Sequence, residues 1–203
     1  LLDSGQLSKE DLKSFRPSVC NRLDRNTSGL VAAGKSLLGL QALSKAIKER
    51  TIGKYYLCIV KGVIDSPRRI QGWLLKNEKT NQVTVTKQRR EGSLPIETEY
   101  VPMASDGHYT LLKVKLITGR SHQIRAHLAS IGHPVIGDTK YGDPRENLAA
   151  KKKYGVSCQL LHAALLVLPE ELPEELSRLR GMEVSAPLPD VFAAFAGQLQ
   201  GGR

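Results

Sequence analysis

The arrangement of strand-like runs constrains the fold of this chain more than any other feature. Runs rich in β-branched and aromatic residues occupy 54–62 (KYYLCIVKG), 96–104 (IETEYVPMA) and 108–118 (HYTLLKVKLIT), and an apolar run occupies 158–169 (CQLLHAALLVLP). The second and third runs flank the turn-forming segment 105–107 (SDG), which predicts a hairpin. Because strands and helices do not alternate in a regular β-α-β rhythm, the pattern predicts an α+β fold with a mostly antiparallel sheet.

Helical periodicity marks three further segments. A helix is predicted over 36–50, where apolar residues recur at spacings of three and four, and Gly53 would end it. The apolar stripe of this helix is formed by Leu37, Leu40, Leu43 and Ile47. A second helix is predicted over about 121–131, ended by Gly132, and a last one within 186–199 (APLPDVFAAFAGQL).

The rest of the chain carries weaker signals. Residues 30–33 (LVAA) predict a short buried strand, and 83–86 (VTVT) predict a small one. The remainder of 63–94 is polar and turn-rich, and the segment around 151–153 (KKK) reads as a loop. Residues 1–18 predict a short helix followed by a loop.

The length of 203 residues fits a single domain over 1–203. The chain begins with Leu1 rather than Met, and its first segment reads as the interior of a longer chain, so upstream residues are expected to be missing. No apolar run is long enough to span a membrane. Cys20, Cys58 and Cys158 are far apart and form no C-x-x-C, which disfavours a zinc site or a disulfide framework and fits a reducing cytoplasm.

The charge balance indicates a polyanionic partner. Lys and Arg total 30 against 20 Asp and Glu, which gives a net charge of +10. A basic chain of this size often binds nucleic acid, and the alternative is a charge that only keeps the protein in solution.

Three polar groups in apolar settings are candidates for chemistry. Asp24 lies between Arg22 and Arg25 in NRLDRNTSGL, where turn-forming residues would hold its carboxylate on a rigid loop; the alternative is a structural ion pair. Tyr55 and Tyr56 face opposite sides of a strand, so one ring would enter the core while the other lines a pocket, where it could stack on a nucleobase.

The third candidate segment is TGRSHQIRAHLASIGHP, residues 118–134. Arg125 would lie at the flank of the buried helix face, and Arg120 would lie at the helix start, where the helix dipole disfavours a cation unless it pairs with an acid or a phosphate. The alternative for each is a solvated arginine. His122 and His127 are five residues apart without the Glu of H-E-x-x-H, which makes a metal site improbable.

Four segments resemble, in their order and residues, the pseudouridine synthases of the RluA type, which modify large-subunit ribosomal RNA and some transfer RNAs. They are RLDRNTSGLV (22–31), KYYLCIVKG (54–62), LITGRSHQIRAHLASIGHPVIGDTKYG (116–142) and LLHAALLVLP (160–169). The resemblance covers about residues 20 to 169, and APLPDVF resembles the closing segment of the family.

The resemblance implies the pseudouridine synthase catalytic fold, a mixed and mostly antiparallel sheet with flanking helices and a central RNA-binding cleft. Asp24 matches the catalytic aspartate of the family's R-L-D motif, Tyr56 matches the active-site tyrosine six residues before Gly62, and Arg125 matches the basic partner of the aspartate. Asn21 stands where the family usually has His. The family's first strand, with a Lys-Pro pair, and the S4-like domain of many members are not recognised in these residues.

The resemblance also implies an RNA substrate, with large-subunit ribosomal RNA first and transfer RNA as the alternative, and no metal or other cofactor. A protein of this kind is expected to act as a monomer in the cytoplasm without a membrane. Residues expected to bind RNA are Arg22, Arg25, Arg120, His122 and Lys140, with Lys151, Lys152 and Lys153 as further phosphate contacts.

The implied reaction is the isomerisation of uridine to pseudouridine. The C1′–N1 bond breaks, the uracil turns, and C5 joins C1′. The aspartate either attacks C1′ or removes the C2′ proton to give a glycal, and residue types do not choose between the two routes. Three alternatives to this function are a non-catalytic RNA-binding module, a basic nuclease and a ribosome-assembly scaffold.

Overall fold

The computed structural model describes residues 8–201, so the first seven residues of the predicted N-terminal helix and loop lie outside it. The strands are β1 (Ser18–Val19), β2 (Ser28–Gly29), β3 (Ala33–Gly34), β4 (Gly53–Lys61), β5 (Arg68–Asn77), β6 (Gln82–Thr86), β7 (Leu94–Ser105), β8 (Tyr109–Leu116), β9 (Leu161–Val167) and β10 (Glu183–Ser185). The helices are α1 (Asp11–Ser14), α2 (Leu37–Lys48), α3 (Gln123–Ser130), α4 (Pro144–Tyr154), α5 (Asp190–Gly201) and a 3-10 helix (Glu174–Leu179).

One large sheet organises the molecule. Its strand order is β10-β9-β4-β8-β7-β5-β6, every neighbouring pair along this path is antiparallel, and β2 adds a short parallel pair to β9. The predicted α+β class with a mostly antiparallel sheet is therefore confirmed. The predicted hairpin is formed by β7 and β8, which join through the tight turn at 105–107. Among the described residues, no helix is long and apolar enough to cross a membrane.

Alternation along β4 builds a core on each face of the sheet. Tyr56 and Cys58 point to one face, where they pack with Leu128 of α3. Ile59 points to the other face and packs with Phe195 of α5. Successive strand residues face opposite sides, so a strand covered on both faces is apolar almost throughout. Because β4 is central, residues at its N-terminal half lie beneath the segment that leads into α3.

Three of the predictions for the first half of the chain are wrong in detail. The predicted buried strand over 30–33 does not form, because only Ala33 of these residues belongs to a strand, β3, and Val31 is exposed. Helix α2 ends at Lys48, and Arg50 rather than Gly53 adopts the left-handed conformation beyond it, with φ +62°. Leu37 is exposed and Ala46 is buried, so the buried stripe is displaced toward the C-terminal half of the helix.

Two elements were not predicted. Strand β5 pairs with both β6 and β7, but only Ile70 and Leu74 are buried along it, so its sequence carries almost no period-two signal. Helix α4 replaces the loop predicted around 151–153. Its start is capped by the Asp143 side chain, and Gly155 ends it with φ +73°, but Ala150 is the buried residue and the rest is polar.

Candidate active site

A short loop holds Asp24 against the sheet. The Thr27 N–H donates to the Asp24 carbonyl at 3.0 Å, which closes the turn, and Ser28 Oγ lies 2.8 Å from His162 Nδ1 on β9. Gly29 has φ +105°, and a Cβ there would overlap the Ala163 carbonyl of the same strand. Only glycine allows this close approach of loop and sheet, so the residues directly after Asp24 fix the loop on β9.

Further hydrogen bonds fix the two ends of the loop. The Gln159 side-chain amide donates to the Arg25 carbonyl at 2.6 Å. Asn21 accepts the Ala32 N–H at 2.7 Å, so the residue that departs from the family pattern ties the start of the loop to its far end. Asp24 is therefore held on a loop with little regular secondary structure but many specific contacts.

Arg125 bridges two carboxylates beneath this loop. Its Nη1 donates to Asp24 Oδ2 at 3.1 Å, while Nε and Nη2 donate to the two Asp138 oxygens at 2.6 and 2.9 Å. The side chain was expected at the flank of the buried helix face, yet only 6% of it is exposed, and Asp138 is fully buried. A buried guanidinium is tolerated because its donors are paired with acids.

Asp24, Arg125 and Asp138 form a charged triad, and the charges within it interact favourably. Burial alone would lower the pKa of Arg125, but its hydrogen bonds and charge interactions with Asp138 and Asp24 raise it. Burial likewise opposes ionisation of Asp138, but Arg125 and the backbone N–H groups of Lys140 and Tyr141 lower its pKa. Arg125 and Asp138 thus form a buried ion pair, and Asp24 is the member of the triad that lines the cavity.

Tyr56 places a neutral phenol beside Asp24. Burial first, and then the charge of Asp24, raise the pKa of Tyr56 to about 12. The phenol is therefore protonated at neutral pH. Tyr55 lies on the opposite face of the sheet, where the Lys113 ammonium is 5.0 Å from its ring, so Tyr56 alone of the two reaches the cavity.

His122 and Tyr141 support the triad from the side. Arg125 lies 5.2 Å from the Tyr141 ring, and the Tyr141 hydroxyl is 2.8 Å from His122 Nδ1. The Val83 N–H already donates to that hydroxyl oxygen, so the hydroxyl proton is available to the imidazole. Burial, and then the charges of Arg125 and Lys140, lower the pKa of His122 against the opposing effect of Asp24. A neutral His122 accepting at Nδ1 fits this arrangement.

Asp24, Tyr56 and His122 line a cavity of about 390 Å³, and Arg125, Asp138 and Tyr141 lie behind its wall. Its wall includes Arg22, Asp24, Lys54, Tyr56, Arg120 and His122. Of the residues expected to bind RNA, Arg25 is exposed on the Asp24 loop but does not line the cavity, and the Lys140 ammonium donates to the Asn81 carbonyl at 2.8 Å. Lys151, Lys152 and Lys153 are exposed on the last turn of α4.

Sequence reasoning missed three residues of this region. Asp138 and Tyr141 belong to VIGDTKYG, the end of the longest motif, but nothing in their spacing indicates that they face Arg125. Lys54 is the first residue of the family's K-x-Y-x-A-x-V-x-G pattern, which was used to identify Tyr56, but no role was assigned to Lys54 itself. Within 8–201, no group of three or more His, Cys, Asp or Glu side chains is arranged to hold a metal ion.

Comparison with known proteins agrees with the geometry. Residues 3–130 match the family model described as RNA pseudouridylate synthase. Over 185 residues the chain is 32% identical to ribosomal large subunit pseudouridine synthase C of Vibrio cholerae, covering 88% of this chain and 56% of that protein. Over 163 residues it is 36% identical to the protein of the same name from Yersinia pestis, covering 77% of this chain and 50% of that protein.

Two solved structures share the fold. Human RNA pseudouridylate synthase domain containing 4 superposes with a TM-score of 0.73 at 22% identity, over 93% of this chain and 77% of that one. Human RNA pseudouridylate synthase domain containing 1 gives 0.65 at 25% identity, over 91% and 80%. The chain spans about half the length of the curated relatives it matches.

Proposed function

The chain belongs to the RNA pseudouridylate synthase family, which confirms the resemblance drawn from its motifs, and on that premise we propose that it isomerises specific uridines in RNA to pseudouridine. The observation that carries the proposal is the Asp24 carboxylate, which lies in the cavity wall with Arg125 bonded behind it at 3.1 Å. Large-subunit ribosomal RNA is the proposed substrate because the names of the relatives specify it, and transfer RNA is the alternative.

Asp24 is the catalytic carboxylate in this proposal. It either attacks C1′, displacing the uracil, or removes the C2′ proton as the C1′–N1 bond breaks. Both routes need an ionised and oriented carboxylate close to the ribose. Arg125 supplies the orientation, since its hydrogen bond to Asp24 Oδ2 fixes the oxygen positions. Arg125 does not line the cavity, so we assign it a positioning role.

Tyr56 supplies a ring and a hydroxyl at the base. Its aromatic face offers a stacking surface for the uracil, and its protonated hydroxyl can donate a hydrogen bond. A pKa raised to about 12 makes the phenol a donor at neutral pH rather than a strong base. The C5 proton leaves at the end of the reaction. The Tyr56 hydroxyl can relay this proton only if the phenol gives up its own proton in the same step.

The substrate nucleotide must leave the RNA stack before Asp24 can reach its ribose. Unstacking costs a few kcal/mol and costs least in loops. Contacts to phosphates offset that cost, and the exposed side chains of Arg22 and Arg120 at the cavity are placed to make them. Arg25 and Lys151–Lys153 lie outside the cavity wall and suit contacts with flanking nucleotides, whereas Lys140 shares its ammonium with Asn81.

We also propose that residues 1–203 form one catalytic domain that acts as a monomer in the cytoplasm and needs neither a metal nor another cofactor. The isomerisation oxidises nothing and releases no group from the nucleotide, so a carboxylate is sufficient in this proposal. A sedimentation measurement at micromolar protein concentration tests the monomer.

The decisive experiment replaces Asp24 by Asn and maps pseudouridine across total RNA. Cells that lack the gene are complemented with the wild-type gene, with D24N or with D65N, a matched change at an exposed aspartate. We expect one or a few pseudouridines to disappear without the gene, to return with the wild type and D65N, and to stay absent with D24N.

RNA affinity of purified D24N should stay within about threefold of wild type, because the substitution removes no cation. Pseudouridine formed by D24N would contradict the catalytic assignment. An unchanged map in cells without the gene would favour the non-catalytic binding module instead.

A further inference from the structure

Lys54 is a buried cation in the cavity wall, and the proposed mechanism gives it no task. Only 8% of the residue is exposed, and it lines the same cavity as Asp24 and Tyr56. It lies two residues before Tyr56 on β4, so both side chains leave the same face of the sheet, about 7 Å apart along the strand. A Cβ placed at Gly119 would lie 3.2 Å from its Nζ, so the ammonium reaches the loop that leads into α3.

The ammonium of Lys54 has no partner in the described part of the chain. Among residues 8–201 it makes neither a hydrogen bond nor an ion pair, whereas Lys61 donates to Asp143 at 2.7 Å. The neighbouring charge that acts on it is that of Arg50, which has the same sign. Burial, and then Arg50, lower the pKa of Lys54.

Among the described residues no side-chain nitrogen or oxygen is both fully buried and unpartnered, so the Lys54 ammonium keeps some contact with solvent at the cavity, but its burial is enough to lower its pKa. A charged side chain that loses water without gaining a counter-charge carries an uncompensated desolvation penalty. Such groups concentrate at sites where a ligand supplies the missing partner. The cavity leaves room for such a ligand beside Lys54, and the ligand would have to carry negative charge there.

We propose that Lys54 is a further catalytic residue, whose ammonium binds the uracil oxygen that takes up negative charge when the C1′–N1 bond breaks. The inference rests on the proposed function. Heterolysis leaves the bonding electron pair on N1, and the ring spreads that charge over its O2 and O4 oxygens. Lys54 donates a hydrogen bond to one of them and keeps its proton. C5 then bonds to C1′ as Asp24 leaves C1′ or returns the C2′ proton, and this makes the ring neutral. C5 loses its proton to a base and N1 gains one, so the product base is neutral.

Placement favours the base over a phosphate as the source of the anionic oxygen. The ribose has to lie at Asp24, and a uracil stacked on Tyr56 would extend along the strand that carries Lys54. The exposed cations Arg22 and Arg120 are better placed for the solvated RNA backbone, whereas Lys54 is buried in the wall. A preorganised donor aimed at developing charge lowers a barrier by about 10²–10³ in rate.

The test compares Lys54→Met with Lys113→Met, a change at an exposed lysine on β8 outside the cavity. RNA is taken from cells that lack the gene and labelled with tritium at uridine C5, and tritium release is followed with enzyme in excess. We expect the single-turnover rate of Lys54→Met to fall about 100-fold, with half-saturation within about twofold of wild type. Lys113→Met should match the wild type, and Lys54→Arg, which keeps the charge, should retain at least a tenth of the rate.

Each other outcome overturns the proposal in a recognisable way. Weaker binding, with a slope of log affinity against log salt reduced by about 0.7, would make Lys54 a phosphate contact. A melting temperature lowered by several degrees in both Lys54→Met and Lys54→Gln would make it structural, since removing an unpaired buried charge should leave stability unchanged or higher. An unchanged rate removes the role outright. If wild-type protein releases no tritium, the proposed function is wrong, and the role proposed for Lys54 is wrong with it.

Discussion

Two buried cations lie near Asp24, Arg125 behind the cavity wall and Lys54 in it, and they differ in their partners. Arg125 is 6% exposed and donates to two carboxylates through three nitrogens, while Lys54 is 8% exposed and has no acid partner among residues 8–201. A paired cation organises the protein, because its partners are part of the protein. An unpaired one only costs stability until a ligand arrives. The difference separates the part of the site that is assembled on folding from the part that is completed by substrate.

Removing Arg125, the paired cation, should have the largest effect on stability of the substitutions compared. Arg125→Met leaves Asp138 fully buried without a counter-charge, and breaking a buried pair in this way costs about 3–5 kcal/mol in the free energy of unfolding. Urea unfolding measures the loss, and pseudouridine formation should be abolished.

The matched control for Arg125 is Arg69→Met, which removes an exposed arginine bonded to Glu97 at 2.6 Å. Its effect on unfolding should be close to zero, because solvent screens exposed pairs. Equal losses in the two variants would contradict the view that burial makes the Arg125 pairing important.

A third buried basic group, His127, sharpens the comparison because its partner is neutral. Its Nδ1 lies 2.9 Å from Thr98 Oγ1, and burial lowers the pKa of His127 to about 4. Below the ordinary value near 6.5 the unfolded chain gains a proton that the folded protein does not. The free energy of unfolding should therefore fall by about 2 kcal/mol between pH 6.5 and pH 5.

Urea titrations at the two pH values test this dependence. His127→Gln should lose most of the pH effect, whereas His108→Gln, at an exposed histidine, should keep it. A pH effect that persists in His127→Gln would assign it to other groups, such as His122, whose pKa is also lowered.

Replacing Arg120 should have the smallest effect, because Arg120 is a cation at the cavity that is exposed rather than buried. Its side chain is available to solvent and lines the cavity, so it is expected to meet a phosphate directly. Arg120→Ala should weaken RNA binding by a few fold and reduce the slope of log affinity against log salt by about 0.7. Filter binding over a salt series measures both. An unchanged slope would remove Arg120 from the RNA contacts.

Local sequence patterns predicted much of the fold. The strands β4, β7, β8 and β9 and the helices α2, α3 and α5 lie close to their predicted places, because each has a strong apolar period or a clear turn at its end. Strand β5 and helix α4 were missed because few of their side chains are buried, which leaves too little apolar pattern to recognise.

The residues of the candidate site also divide into those that the sequence indicated and those that it did not. Asp24, Tyr56 and Arg125 stand out in the sequence because they lie in long motifs, whose resemblance to a family assigns their roles. Asp138 and Lys54 lie in the same motifs, but the resemblance assigned no role to them, and an aspartate in a turn and a lysine at a strand start are ordinary. Their importance depends on what they face after folding.

The sequence by itself determined the class of sheet, the basic character of the chain and the residue types available for chemistry. Only the tertiary structure decided which charges are paired. Arg125 and Asp24 are separated by 101 positions, and their contact depends on α3 and the Asp24 loop packing against the same end of the central sheet. Burial and pairing are properties of such long-range contacts, because the energy of a charge depends on whatever replaces water around it. A linear sequence does not contain that information for Lys54.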